Sequence, residues 1–193
     1  MTSSTAAALA RLFPAVLLTV IVVTLGFVAT AGGAPRSWSS YLAPDGVCAG
    51  STDRAASLRI QQRAVGCLVN WARTRHRQRR LSQSRSLHRA AALKGLGVVA
   101  CRQISHTPCG SDVSATVRRA GYDYASFAEN LYVGSLGAAS AKEVVTAWMQ
   151  SPGHRENILR PGFRDVGAAF VRADGVFYEG AAVVWIVALA SPR

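Results

Sequence analysis

The chain has 193 residues, half of them apolar and only 17% charged, which accommodates one ordinary domain with a sizeable core plus an N-terminal extra and excludes global disorder. The net charge of +12 comes almost wholly from arginine, because Lys94 and Lys142 are the only lysines. Such a balance speaks about anionic partners and not about fold.

Residues 12–31, LFPAVLLTVIVVTLGFVATA, carry no charge and follow Arg11. A short positive start, a long apolar run and the A-x-A spacing of Ala29 and Ala31 read as an export signal. A run of about 20 apolar residues is also long enough for a retained anchor. Arg11 and Arg36 flank it almost symmetrically, so charge does not separate the two. Residues 1–34 are therefore expected to be a signal peptide or an N-terminal membrane anchor. Either reading puts the remainder outside the cytoplasm, secreted or tethered. Residues 35–57, rich in Ser, Gly, Ala and Pro, read as a linker or as a loop pinned by Cys48.

A first helix is expected from Asp53, its N-cap, to near Arg75, with Ile60, Ala64, Cys67, Leu68 and Trp71 on one stripe. A second, from Ser84 to Ala100, turns Leu87, Ala91 and Val98 inward, although Gly95 and Gly97 weaken it. A third, short helix starts near Ser111 or Asp112 and stops at Gly121. A fourth has the capping box Ser140-x-x-Glu143 ahead of Val144, Val145, Trp148 and Met149, and Ser151-Pro152-Gly153 ends it. The pattern then changes to strands. Val166–Val171 and Val176–Tyr178 read as a hairpin across Asp174-Gly175, and Ala181–Ala190 as a central, nearly all-apolar strand. Helices first and an antiparallel sheet late imply an α+β fold. The stretch Tyr132–Ser140 has no readable pattern.

Four cysteines, all beyond the apolar run, suggest two disulfides in an exported chain. Of three possible pairings the sequence-local one is expected, Cys48–Cys67 and Cys101–Cys109, stabilising by roughly 3 kcal/mol and somewhat less. A four-cysteine metal site is disfavoured, because the spacings contain no Cys-x2-Cys knuckle.

Three stretches hold polar residues inside otherwise apolar runs. They are Cys101-Arg-Gln-Ile-Ser-His106-Thr-Pro-Cys109, Phe127-Ala-Glu129-Asn130-Leu131, and Trp148 to Gly167 with His154, Asn157 and Phe163. With Cys67-Leu-Val-Asn70-x-x-Arg73, these motifs resemble the CAP superfamily (cysteine-rich secretory proteins, antigen 5 and pathogenesis-related 1) in its bacterial SCP-like branch. The resemblance runs from about Ala64 to the C-terminus, and the expected domain spans residues 58–193. It implies an α-β-α sandwich around a three-stranded antiparallel sheet, with His106, Glu129 and His154 at the floor of a surface cleft. Two departures stand out. Ala128 replaces the usual glycine before Glu-Asn, and Ser151 stands where many eukaryotic members carry a second cleft glutamate.

Two imidazoles and a carboxylate suit a divalent cation such as zinc, with His106 and His154 as ligands and one position left for water. Glu129 fits equally as an outer partner that fixes an imidazole's tautomer. The leading expectation is a non-enzymatic extracytoplasmic module binding a metal or small ligand. A metal-dependent envelope hydrolase and a lipid- or sterol-binding protein are the alternatives. A serine nucleophile is disfavoured, because neither Ser105 nor Ser151 sits in a nucleophile elbow.

Between Asp53 and Asp112 there is no acidic residue, while Arg54, Arg59, Arg63, Arg73, Arg75, Arg77, Arg79, Arg80, Arg85, Arg89, Lys94 and Arg102 supply twelve positive charges. This segment, 54–102, is expected to face anionic cell-envelope polymers or lipid head groups. Nucleic acid is disfavoured as a partner, because aromatic side chains are not interleaved with the arginines.

Overall fold

The computed structural model describes residues 37–193. The expected signal or anchor therefore lies outside the described residues. Among the described residues no helix is long and apolar enough to cross a membrane.

The sheet is the centre of the domain. Strand β1 (Ser82–Gln83), β2 (Tyr124–Ser135), β3 (Asp165–Arg172) and β4 (Ala182–Pro192) run in the order β1-β3-β4-β2. β4 pairs antiparallel with both β2 and β3, while the two-residue β1 pairs parallel with β3 at the other edge. The antiparallel core thus has three strands, the number expected, but β2 is one that the sequence pattern did not mark, and a short parallel edge strand makes four in all.

β4 is buried from Ala182 to Ala190, and its alternation assigns the two layers. Val183, Trp185, Val187 and Leu189 join one apolar cluster with helix α1 (Leu58–Arg75), α4 (Ala141–Gln150) and α5 (Pro152–Leu159). Val184 and Ile186 meet helix α2 (Arg85–Cys101) on the opposite face, and Ala188 and Ala190 meet α2 and the short α3 (Ala115–Arg119). This is the α-β-α sandwich.

Local sequence explains most element ends. Ser84 caps α2, its side chain accepting from Leu87 N, and Leu87, Ala91 and Val98 are buried as their spacing requires. Gly95 is no defect there. A Cβ at this position would come within 2.8 Å of Val171 Cγ2, so the glycine lets α2 close onto β3. The Ser140–Glu143 capping box forms at the start of α4. Ser151 both ends α4 and precedes α5, with Pro152 at the first helical position, where its missing N–H costs nothing.

Several expectations are corrected. α1 begins at Leu58 after Ser57, not at Asp53. Asp53 instead closes a turn, its Oδ1 accepting from Ala55 N. The buried stripe of α1 is rotated toward Gln61, Ala64, Val65, Leu68, Val69 and Ala72. α3 starts only at Ala115, because Asp112 spends its carboxylate on Ser114 N and Oγ. Val176–Tyr178 is not a strand. Asp174 Oδ1 accepts from Ala182 N and its Oδ2 takes the Arg172 guanidinium, so a wider turn closes and Val176 and Phe177 fold back onto the apolar cluster. The first half of Tyr132–Ser140 is strand: β2 runs unbroken to Ser135, and a 3-10 turn follows at Leu136–Ala138.

Both expected disulfides are present, Cys48–Cys67 and Cys101–Cys109. The first holds the segment ahead of α1, whose Tyr41 and Ala43 are buried in the α1–α4 cluster.

Candidate functional site

β2 is an outer strand of the sheet, and its two consecutive polar residues face opposite layers. Phe127, Leu131 and Val133 pack on the α2 side, which puts Glu129 on that side too. Ala128 belongs to the α1–α4 layer, and Asn130 shares its face. One pair of neighbouring residues therefore reaches into both halves of the sandwich.

On the α2 side, Glu129 is buried and accepts a 2.8 Å hydrogen bond from His106 Nδ1. His106 lies inside the Cys101–Cys109 loop, and its side chain is 49% exposed. The loop is shaped by its own polar atoms. Gln103 Oε1 accepts from Cys109 N, and Ser105 Oγ accepts from Thr107 N. Pro108 is buried beneath it.

On the other side, Asn130 is fully buried and ties β2 to α5. Its Nδ2 donates to His154 O and its Oδ1 accepts from Asn157 Nδ2, both at 3.0 Å. That bracket fixes the first turn of α5, which carries His154. The far end of the same helix is held by Arg73, whose buried guanidinium donates to Ile158 O, Arg160 O and Arg79 O. Burial, and secondarily the nearby His106, hold the His154 imidazole below the ordinary histidine range. His106 and His154 thus approach from opposite layers around the edge of β2.

Lys94 is the residue that composition concealed. It was counted above with the basic segment, yet its side chain is 1% exposed. Nζ donates to His106 O and to Val113 O, the latter at 3.0 Å, and lies 3.8 Å from Glu129 Oε2. The signal was in the spacing. Lys94 falls on the same α2 stripe as Leu87, Ala91 and Val98, so it had to point inward. Arg73 is likewise buried, which leaves ten of the twelve basic residues of the segment exposed.

These contacts bear on the metal expectation. Among the described residues no group of three His, Cys, Asp or Glu could hold an ion. Glu129 has one oxygen on His106 and the other beside an ammonium, so it cannot serve as a direct ligand. What remains is two imidazoles with a carboxylate behind one of them. The donor set does not fit a resident metal with three protein ligands. Nor is a nucleophile aligned: Ser105 is engaged with Thr107 in its own loop, and Ser151 lies at the junction of α4 and α5.

Comparison with known proteins agrees with the architecture. The protein YkwD of Bacillus subtilis (strain 168) is 27% identical over 130 residues, covering 67% of this chain and 49% of YkwD. The chain thus spans about half the length of that relative. An SCP-domain extracellular protein of Bacillus anthracis aligns with a TM-score of 0.54 at 18% identity, over 69% of this chain and 40% of that one. An outer surface protein of Borrelia burgdorferi aligns with a TM-score of 0.56 at 18% identity, over 67% and 90%. These structural likenesses concern the fold. The sequence profile of the cysteine-rich secretory protein family matches residues 68–189, and the chain belongs to that family, CAP.

Proposed function

We propose that the chain works outside the cytoplasm as a non-enzymatic binding module, with the cleft between His106 and His154 as the seat of a small polar ligand. The observation that carries this is the buried Glu129 carboxylate on His106 Nδ1. A carboxylate can only accept, so Nδ1 carries a proton, and in the neutral ring Nε2 is the nitrogen with a free lone pair. Because the ring is half exposed, that lone pair is available to a ligand. His154, whose protonated form is disfavoured by burial, offers a second imidazole. Such a seat suits hydroxyl or ammonium donors, or a cation whose remaining positions are filled by water. The extracellular and outer-surface descriptions of the relatives and the two disulfides support an oxidising location.

The ten exposed basic residues of segment 54–102 support a second contact, with anionic envelope polymers or lipid head groups.

Zn2+ serves as a probe of the imidazole pair, not as a resident cofactor. Titrated into the protein and followed by NMR, it should shift His106 and His154 together. His106→Ala or His154→Ala should abolish the joint response, and Glu129→Gln should weaken binding about 10-fold to 100-fold. Independent responses of the two rings would refute a shared seat.

A further inference from the structure

The last turn of α1 meets the end of α5, because Arg73 donates to Ile158 O and Arg160 O. Beside this junction lies an open hollow of about 380 Å3, whose lining includes His76, Arg155, Glu156, Leu159, Arg160 and Pro161. We propose that this hollow seats a single phosphate group, carried by a lipid head group or by a free phosphate ester, with Arg155, Arg160 and His76 as its donors. The assignment gives the anionic contact of segment 54–102 a particular address and rests on that reading for its purpose, although both arginines lie outside the segment.

The donors converge from two elements and keep capacity unused. Arg155 Nη1 donates to Met149 O and Gln150 O, which fixes the guanidinium while its Nη2 has no partner among the described residues. Arg160 donates from Nη2 to Asn157 Oδ1 at 3.3 Å and stacks with its Cζ 5.8 Å from the Phe163 ring, leaving Nε and Nη1 without hydrogen bonds. His76 meets Tyr41 OH at 3.3 Å through Nδ1; with the hydroxyl donating, Nε2 carries the ring proton and can donate outward. One carboxylate shares the rim. Glu156 is 75% exposed and 3.8 Å from Arg160, too far for a hydrogen bond.

A further positive charge stands behind the wall. The Arg73 guanidinium is fully buried, and all three of its hydrogen bonds go to carbonyls, none to a carboxylate. Its Nη2 finds no acceptor at all. Burial, and secondarily the charge of Arg164, lower its pKa. Such an uncompensated cation makes the potential at the junction positive, and burial weakens the screening of its field. Phosphate fits better than carboxylate. One guanidinium fork satisfies a carboxylate, whereas a phosphate presents several charged oxygens to donors arriving from different directions. Leu159 and Pro161 supply an apolar wall for the carbon side of an ester.

Inorganic phosphate, titrated against chloride at constant ionic strength and followed by NMR, should shift the amides of Arg155, Leu159 and Arg160 along one saturable curve. Arg160→Gln should weaken this binding about 10-fold. Glu156→Gln, which removes the one opposing charge, should strengthen it about 2-fold to 5-fold, and it tests the same field should Arg160→Gln fail to fold. Arg119→Gln removes an exposed charge from α3, on the other face of the sheet, and should leave binding unchanged. No saturable response, or equal losses for Arg119→Gln and Arg160→Gln, overturns the proposal, as does a Glu156→Gln chain that binds no tighter.

Phosphatidylglycerol vesicles separate the two sources. Vesicle binding that is weakened in Arg160→Gln assigns the phosphate to a lipid head group. Equal vesicle binding by wild type and Arg160→Gln, with inorganic phosphate still seated, assigns the hollow to free phosphate esters. If inorganic phosphate binds and vesicles do not, the hollow stands and the lipid contact falls. If vesicles bind and inorganic phosphate does not, the contact stands and the hollow falls.

Discussion

Asn130→Ala tests whether the bracket between β2 and α5 holds the second half of the site. Asn130 is fully buried, and each end of its amide makes one hydrogen bond of 3.0 Å, to His154 O and from Asn157 Nδ2. Truncation removes both and strands an amide donor on Asn157. A buried hydrogen bond contributes about 1 kcal/mol, and an orphaned partner raises the cost toward 1–3 kcal/mol, so the expected loss is about 2–4 kcal/mol. With a urea slope of about 2 kcal/mol/M the unfolding midpoint should fall by about 1–2 M, at unchanged slope. Asn157→Ala removes only one of the two bonds but leaves the Oδ1 of buried Asn130 without that donor, and should cost about 1–3 kcal/mol. Combined, the two substitutions should cost clearly less than the sum, because they share a bond. A midpoint shift below about 0.3 M for Asn130→Ala would mean that the bracket carries no weight. His154 would then owe its position to α5 alone.

Acid should weaken the fold in two separate windows. The His154 pKa is depressed, by burial first and by His106 second, so folding favours the neutral ring. The associated stability is complete above the ordinary value of 6.5 and declines as pH falls through it toward the folded-state pKa. Thermal melts of His154→Gln should lack that decline. Glu143, paired with Arg54 and capping Ser140 N, is held down to about 2. Its contribution is complete above its unfolded value of 4.5 and is lost progressively as pH falls from there through about 2; Glu143→Gln should remove this lower window. Of the disulfides, the Cys48–Cys67 link closes a separation of 19 and the Cys101–Cys109 link one of 8. Replacing the first pair by serine should therefore cost about 0.8 kcal/mol more than replacing the second, as measured by urea unfolding. Phosphatidylglycerol vesicles should bind the chain at low salt and release it near 1 M, where the Debye length is about 3 Å. Arg77, Arg79 and Arg80 changed to Ala should weaken that binding by about 1 kcal/mol each, and cosedimentation that ignores salt would refute the electrostatic account.

The helical layer was legible because its residues obey one period. Leu87, Ala91 and Val98 repeat as a buried helix must, and Ser140 with Glu143 announces a start in four residues. β2 was not legible, because the two residues that matter in it break the alternation that would have marked a strand. Glu129 stands where the α2-facing row wants an apolar side chain, and Asn130 does the same on the other face. Functional positions commonly violate the local pattern in this way. Lys94 was missed for the opposite reason. Its helical phase was regular, but a count of charges along a segment says nothing about which charge points inward. The site was found through its motifs, while its electrostatics required the packing of α2 against β2.

The position of β4 in the sheet has a consequence for the order in which the domain can form. β2 and β3 never touch each other as partners; each is hydrogen-bonded to β4, and β4 follows both in the chain. A polypeptide emerging N-terminus first, from a ribosome or through a membrane pore, presents both flanking strands with no middle to join them. Glu129 and Asn130 can be held in their final register only when Ala188 and Val187 arrive beside them. The contacts of Glu129 with His106 and of Asn130 with α5 are therefore among the last to assemble, and a chain still in transit has neither.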